Sequence, residues 1–438
     1  MESILILIFI LGYLSITLEH SIKIDKLIPA LIMMVIMWAV ISIGQFDIYA
    51  VDEALKILVP ANFEETLLHH FGKTAEILIF LVGAMTIVEI IDHFDGFSVI
   101  KGFVKTESKR KLIWVFCIIG FFLSAVIDNL TTTIILISIL RKIVKTGELR
   151  IWYASLIVIA ANAGGAWSPI GDVTTTMLWI ANKVTTVNLI TNLFIPSVIS
   201  IFIPAFIASY LPIFKGNIEQ VVIEDKPSSK YGNIMFYLGM GAIVFVPIFK
   251  TITHLPPYLS MMLSLAIVAI FAEILSLKKM EFTTLESEKS QLSPIHKSLS
   301  RIEMPSVLFF LGILMAVAAL ESVGMLFQFS EWLKVTIPNP DLVVLILGFS
   351  SSVIDNVPLV AASIGMFHND IDDSLWHFVA YSAGTGGSML IIGSAAGVVA
   401  MGMEKINFMW YLKNIAWLAA IGFVSGAIAF MLIRNFNM

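Results

Sequence analysis

Charge is what this sequence has least of: Asp, Glu, Lys and Arg make up 13% of its 438 residues, about half the share of an ordinary soluble domain. With 58% of the residues hydrophobic, there is too little polar side chain to cover a water-exposed surface. Cysteine is nearly absent as well. The single Cys117 excludes an intramolecular disulfide, leaves the redox compartment open, and reads as a small buried apolar side chain. No run of Lys and Arg is long enough, or interleaved enough with aromatics, to make a nucleic-acid surface, and the net charge is a mild −5. The N-terminus has only Glu2 ahead of its apolar stretch and no A-x-A cleavage pattern after it, so it reads as a retained first helix.

Long apolar stretches are what the chain does have. Length and turn residues mark ten expected membrane spans, at 4–18, 27–43, 76–91, 151–181, 191–213, 233–249, 257–276, 303–324, 375–403 and 408–433. Two further apolar segments, 112–140 and 342–366, are each interrupted near the middle by an Asp-Asn pair. Basic residues gather at 101–111 and again at 278–301, which places both in the cytoplasm, and the acidic stretch 44–75 then lies outside. Segment 141–150, with Arg141, Lys142, Lys145 and Arg150, is basic too. A helix crossing over 112–140 would strand one of its two basic flanks on the wrong side. The conflict disappears if 112–140 enters, turns at Asp128-Asn129 and returns as a re-entrant hairpin, a geometry tolerated where the turn faces protein or a water-filled cavity. Segment 342–366 has neutral and acidic flanks and reads as a second hairpin from the opposite side.

An internal repeat supports this topology. SAVIDN at 124–129 recurs as SSVIDN at 351–356, and NAGGAWSPIGD at 162–172 recurs loosely as GTGGSMLIIGS at 384–394, with Gly-Gly pairs and a later Gly in register. Upstream, FLVGAM at 80–85 resembles FFLGIL at 309–314, which sets Asp92 opposite Glu321. The expected fold class is an all-α polytopic membrane protein of two inverted-topology repeats. Each has five transmembrane helices, one of them interrupted (151–181 and 375–403), and one hairpin. The first repeat spans 1–213 and the second 233–438, joined by a cytoplasmic linker at 214–232 around Pro227. Odd numbers of crossings invert the second half, and secondary transporters build midplane sites from such interrupted helices.

Asp128, Asp172 and Asp355 fall inside apolar segments, where a charge costs about 2.5–3.5 kcal/mol on insertion scales. No Lys or Arg occurs in 112–140, 151–182, 303–333, 342–366 or 374–404, so a proton or a bound cation is expected to balance these acids. Their neighbours are oxygen donors, as hard cations prefer: Ser124, Asn129, Thr131, Asn162, Ser168, Thr174 and Thr175 in the first half, and Ser351, Asn356, Ser388 and Ser394 in the second. Several have blander roles open to them. Asn129 and Asn356 suit turns and free backbone amides, Ser124 and Ser351 can bond back to their own helices, and Thr174 and Thr175 share that ambiguity. Gly164, Gly165, Gly386 and Gly387 read as geometry. Glu89, Asp92 and Glu321 lie nearer the span ends and read as interfacial or inter-helix groups. His69 and His70 read as solvated, and His377 as a local hydrogen-bonding residue.

Taken together, SAVIDNLTTT at 124–133, ANAGGAWSPIGDVTTT at 161–176, SSVIDNVP at 351–358 and GTGGSMLIIGSAAG at 384–397 resemble the NhaD-type sodium/proton antiporters of the ion-transporter superfamily, over most of the chain from about 76 to 433. The resemblance implies exchange of Na+, often also Li+, for H+ across a bacterial inner (plasma) membrane or an organellar one, without a cofactor or an enzymatic step. It implies function at Ser124, Asp128, Asn129, Asn162, Asp172, Thr174, Thr175, Ser351, Asp355 and Asn356, with Na+ at Asp128, Asn129 and Asp172 and coupling through Asp128, Asp172 and Asp355. By analogy it also implies a homodimer in which a mobile body carries both hairpins against a scaffold. Ser394 stands where the first half has Asp172, so the half-sites are not equivalent. Two rival readings are weaker. A dicarboxylate or arsenite carrier would want positive side chains where this chain has Asp. An intramembrane aspartyl protease would show YD and GxGD motifs, where this chain has Ile127-Asp128 and Pro169-Ile170-Gly171-Asp172.

Overall fold

The computed structural model describes residues 2–17, 19–52, 57–104, 106–218, 230–281 and 293–437. The first half runs α1 (Glu2–Thr17), α2 (Glu19–Ile22), α3 (Leu27–Ile43), α4 (Phe63–His93), α5 (Ser98–Lys101), α6 (Lys109–Ile127), α7 (Asn129–Ile143), α8 (Gly147–Gly165), α9 (Val173–Ile180) and α10 (Thr186–Ser209). The second runs α11 (Lys230–Thr253), α12 (Pro257–Glu281), α13 (Pro294–Leu299), α14 (Met304–Ser322), α15 (Met325–Thr336), α16 (Pro340–Ser350), α17 (Asn356–Met366), α18 (Ser374–Gly386), α19 (Ala395–Glu404), α20 (Phe408–Asn414) and α21 (Ala416–Asn437). The expected linker 214–232 falls at 219–229 outside the described residues, and the basic stretch 278–301 does so at 282–292.

Seven of these helices, α4, α6, α10, α11, α12, α14 and α21, are long and apolar enough to cross a membrane, and the pair α15 and α16, bent by 119°, makes an eighth if it is one span. Six of the ten expected spans are among the seven, and the seventh, α6, falls in segment 112–140, expected as half of a hairpin. Segments 151–181 and 375–403 are broken in two, at 166–172 and 387–394, as the interrupted helices expected there, and α1 and α3 are apolar but short. α4 is longer than the expected 76–91 because Asn62 accepts hydrogen bonds from the Glu64 and Glu65 amides and starts the helix at Phe63. Those two acids also favour its N-terminal dipole. Beyond the short helices α2, α5 and α13, two further elements lie outside the expected segments. A small antiparallel hairpin, β1 (Tyr49–Asp52) with β2 (Ile57–Pro60), departs from an all-α chain. α15 mixes Glu331 and Lys334 with Phe329 and Trp332, which matches neither a span nor a soluble helix.

At the first Asp-Asn pair the chain reverses. Tyr153 of α8 donates to the Lys109 carbonyl, and Ser124 near the end of α6 donates to Ala161, so α6 runs with α8. α7 runs against both: Asn129 at its start meets Asn162, while Arg141 near its end shares Glu404 with Arg150 at the start of α8. The turn between them is Asp128 alone, at φ 83° and ψ 160°. A residue with a Cβ holds that conformation at about 1–3 kcal/mol and only where its surroundings impose it. Here the Thr131 amide and hydroxyl bind both carboxylate oxygens, at 2.7 and 2.9 Å.

The contacts of this region recur in the second half. Ser124 donates to Ala161 and Ser351 to Ala383, at 2.6 and 2.8 Å. A Cβ on Gly164 would strike the Phe121 carbonyl, and one on Gly386 the Gly348 carbonyl, so α8 and α18 each press backbone against backbone at the corresponding place. Past the two breaks, Asp172 caps α9 and Ser394 caps α19. The helices sort into two sets by their packing. α1, α3, α4, α11, α12 and α14 pack on one another; α6 to α10 with α16 to α21 form the second set, and the sets meet where α14 touches α17, α4 touches α9 and α11 touches α6, with α15 lying against both α14 and α17.

Candidate functional site

Four chain breaks converge between these sets: the turn at Asp128, the start of α9 at Asp172, the turn at Asp355 and the start of α19 at Ser394. Each residue there is a helix N-cap because its side-chain oxygen accepts an amide hydrogen, from Thr131, Thr174, Val357 and Gly397 respectively. Capping satisfies amides that the break leaves open. It leaves the second carboxylate oxygen of each Asp for other partners.

Asp172, 2% exposed, is the hub. Its Oδ1 accepts from the Thr174 amide and hydroxyl, at 2.9 and 2.8 Å. Its Oδ2 accepts from Asn129 Nδ2 at 2.6 Å and, more loosely, from Asn356 Nδ2 at 3.4 Å. Asn129 also donates to Asn162 Oδ1 at 3.0 Å, and Asn162 in turn donates to Ser394 Oγ at 3.0 Å. One buried polar chain therefore joins both halves, Asn356 reaching into the first and Asn162 into the second. Buried polar groups are expensive unless satisfied, and the chain Asn356–Asp172–Asn129–Asn162–Ser394 satisfies its members mutually.

The remaining expected residues fall around this chain in different ways. Ser124 and Ser351 are fully buried and bond across to α8 and α18 rather than back to their own helices. Thr174 touches the Asp172 carboxylate, whereas the Thr175 hydroxyl turns to the Asp172 and Gly165 carbonyls and braces the start of α9. Ser168 and Ser388 bond locally, with the Ile170 amide and the Thr385 carbonyl. Asp355 departs from the expectation of a carboxylate without a basic partner: Lys26 Nζ lies 3.2 Å from its Oδ2. The sequence showed no Lys or Arg within the segment, and Lys26 comes from the far end of the chain, at the foot of α3. His377 Nε2 stands 3.5 Å from Asp372 Oδ1, away from the site.

Asp128, Asp172, Asp355, Asn129, Asn356 and Lys26 line a cavity of about 80 Å³ whose opposite wall is apolar, from Phe80, Met85 and Phe310 among others. It adjoins a vestibule of about 390 Å³ through four shared residues, Met85, Val88, Leu130 and Thr131. Glu89 and Asp92 face Lys101, Lys142 and Arg301 in that vestibule. A second vestibule, of about 1200 Å³, contains His69, Lys73, Lys183 and His368 and shares no lining residue with the cavity. Glu321 borders neither opening to the site and sits against Gly365 of α17. Among the described residues no three His, Cys, Asp or Glu side chains cluster closely enough to hold a metal ion. What the site offers is three carboxylates, one of them paired with Lys26, together with amide and hydroxyl groups.

Comparison with known proteins gives the following. A family model described as a citrate transporter, CitMHS, matches residues 6–376. "Sodium/proton antiporter 1" of Arabidopsis thaliana is 40% identical over 98% of this chain and 72% of its own length. The "Na(+)/H(+) antiporter NhaD" of Vibrio cholerae is 30% identical over 98% of this chain and 91% of its own. Among solved structures, the Alcanivorax borkumensis YdaH transporter superposes with a TM-score of 0.60 over 94% of this chain and 97% of that one, at 10% identity, a likeness of fold alone.

Proposed function

Because the chain belongs to the CitMHS family, and within it to the NhaD-type antiporters, we propose that this integral membrane protein exchanges Na+, and also Li+, for H+. The observation that carries the reading is the pair Asp128 and Asp172. Both line one cavity, and neither has an ion-pair partner among the described residues. A carboxylate kept from water needs a positive partner or a proton. Na+ and H+ then compete for the same oxygens, and loading one expels the other. Asn129, Thr174 and Asn356 hold Asp172 in place, Asn162 steadies Asn129, and Asn129 and Asn356 turn their amides to give the bound cation neutral oxygen.

The same arrangement supports a reading of alternating access. The cavity adjoins the vestibule at Lys101, Lys142 and Arg301, which the positive-inside rule assigns to the cytoplasm, and it shares no lining residue with the vestibule at Lys73 and Lys183. That supports a cytoplasm-facing state. The doubled contacts at Ser124 and Ser351 support inverted repeats over 1–213 and 233–438, with α6 and α7, and α16 and α17, as re-entrant hairpins. The second helix set is the natural mobile body, and a homodimer held by the first set completes the proposal. Citrate, in the family's description, fits this cavity poorly: three carboxylates face one ammonium, and that ammonium is held by Asp355. An anion would meet net repulsion.

Isothermal Na+ titration of the purified protein over a series of pH values tests the competition. Apparent affinity is expected to fall as pH drops, and an affinity indifferent to pH refutes it. Proteoliposomes reporting internal pH on addition of Na+, Li+, K+ and choline test the exchange itself. Silence with every inorganic cation removes the reading.

A further inference from the structure

Lys26 is a charged group in the cavity that the exchange reading leaves without a task. It ends the turn before α3, and its ammonium lies between the Asp355 carboxylate, at 3.2 Å, and the face of Phe309 on α14, 4.4 Å from the ring centre. The two charged side chains are 26% and 16% exposed, so the pair is largely shielded from water and strengthened by it. Phe309 adds cation–π attraction from the same side. Lys26 and Phe309 belong to the first helix set. Asp355 caps α17 in the second, so the ion pair spans the boundary between the two.

Charge counting gives the pair its meaning. Asp128, Asp172 and Asp355 line one small cavity with Lys26. With the ammonium on Asp355, two carboxylates remain for mobile cations; without it, there are three. We propose that Lys26 is the resident counter-ion of the second hairpin. It fills the place a further cation would take at Asp355, which confines exchange to Asp128 and Asp172. It also ties the hairpin to the first helix set, so that this tether has to be released when the hairpins move. Lys26 thereby sets how many cations the protein carries per cycle. The inference rests on the exchange reading, but it concerns stoichiometry rather than whether exchange occurs.

The test compares wild type, Lys26→Arg, Lys26→Gln and the double variant Lys26→Gln/Asp355→Asn, each as the purified full chain. Two quantities are read: Na+ and H+ bound per chain by titration, and the membrane potential at which Na+-driven proton flux reverses in proteoliposomes. Lys26→Arg keeps the charge and is expected to match wild type in both. Lys26→Gln is expected to bind one additional monovalent cation, Na+ or H+, per chain and to shift the reversal potential. The double variant removes both charges and is expected to return to the wild-type count even if Lys26→Gln folds poorly. An unchanged count and reversal potential in Lys26→Gln overturns the inference, and so does a double variant that binds fewer cations than wild type. Absence of Na+-driven flux in the wild type would instead count against the exchange reading.

Discussion

Replacing Asp172 by Ser is the sharpest single perturbation, because the second half of the chain already carries Ser394 at the corresponding place. Both residues cap a helix after a break, Asp172 through the Thr174 amide and Ser394 through the Gly397 amide. Ser caps about as well as Asp, so the start of α9 should survive the change at little cost. What disappears is the Oδ2 acceptor for Asn129 at 2.6 Å and Asn356 at 3.4 Å, together with the negative charge. A hydrogen bond to a charged group contributes about 1.5–3 kcal/mol, roughly a tenfold to 150-fold change in an equilibrium. Loss of the carboxylate from the cation's own coordination adds to that. Na+-driven alkalinisation in proteoliposomes is therefore expected to fall at least about 100-fold, while thermal stability in detergent changes by less than that of a variant without a cap, Asp172→Ala. Asp172→Asn should be inactive too, since its Nδ2 would confront the donors of Asn129 and Asn356. If Asp172→Ser exchanges at the wild-type rate, Asp172 is only a cap, as Ser394 is, and the site reasoning fails.

Single cysteines at Ser108 and Thr146, in a Cys117→Ala background, are expected to react with an impermeant thiol reagent from the same side of the membrane; labelling from opposite sides would remove the first hairpin. Glu404, with its side chain 2% exposed, clamps the end of α7 to the start of α8 through Arg141 and Arg150, at 2.7 and 2.9 Å. The arginines are 45% and 26% exposed, so water offsets part of the loss, and Glu404→Gln should lower stability by about 1–3 kcal/mol in a thermal-shift measurement; an unchanged melting temperature contradicts the clamp. Gly164→Ala and Gly386→Ala each force a methyl onto a facing carbonyl, and each is expected to destabilise by about 1–3 kcal/mol, as overpacking does. Normal stability in both would mean that the close approach of the interrupted helices is not required.

Much of this protein was legible in its one-dimensional pattern, and for a plain reason. A bilayer demands long apolar helices and penalises every charge within them, so low charge, apolar length and three stranded acids already state a membrane protein with a polar centre. The repeated VIDN and Gly-Gly motifs located the chain breaks at Asp128, Asp172, Asp355 and Ser394, because a helix can break in apolar surroundings only where side chains cap the open amides. Element ends were harder to read. The ends of α4 and the existence of α15 depend on caps and on neighbours outside the segment. Partnerships across the chain were invisible. Asn356 on Asp172, Asn162 on Ser394 and Lys26 on Asp355 join residues that are 184, 232 and 329 positions apart respectively, and with no Lys or Arg in its own segment Asp355 is as bare in sequence as its two counterparts. Apolar length and the cost of charge are local properties that the sequence determines by itself, whereas which charge meets which is settled only when the two helix sets close on one cavity.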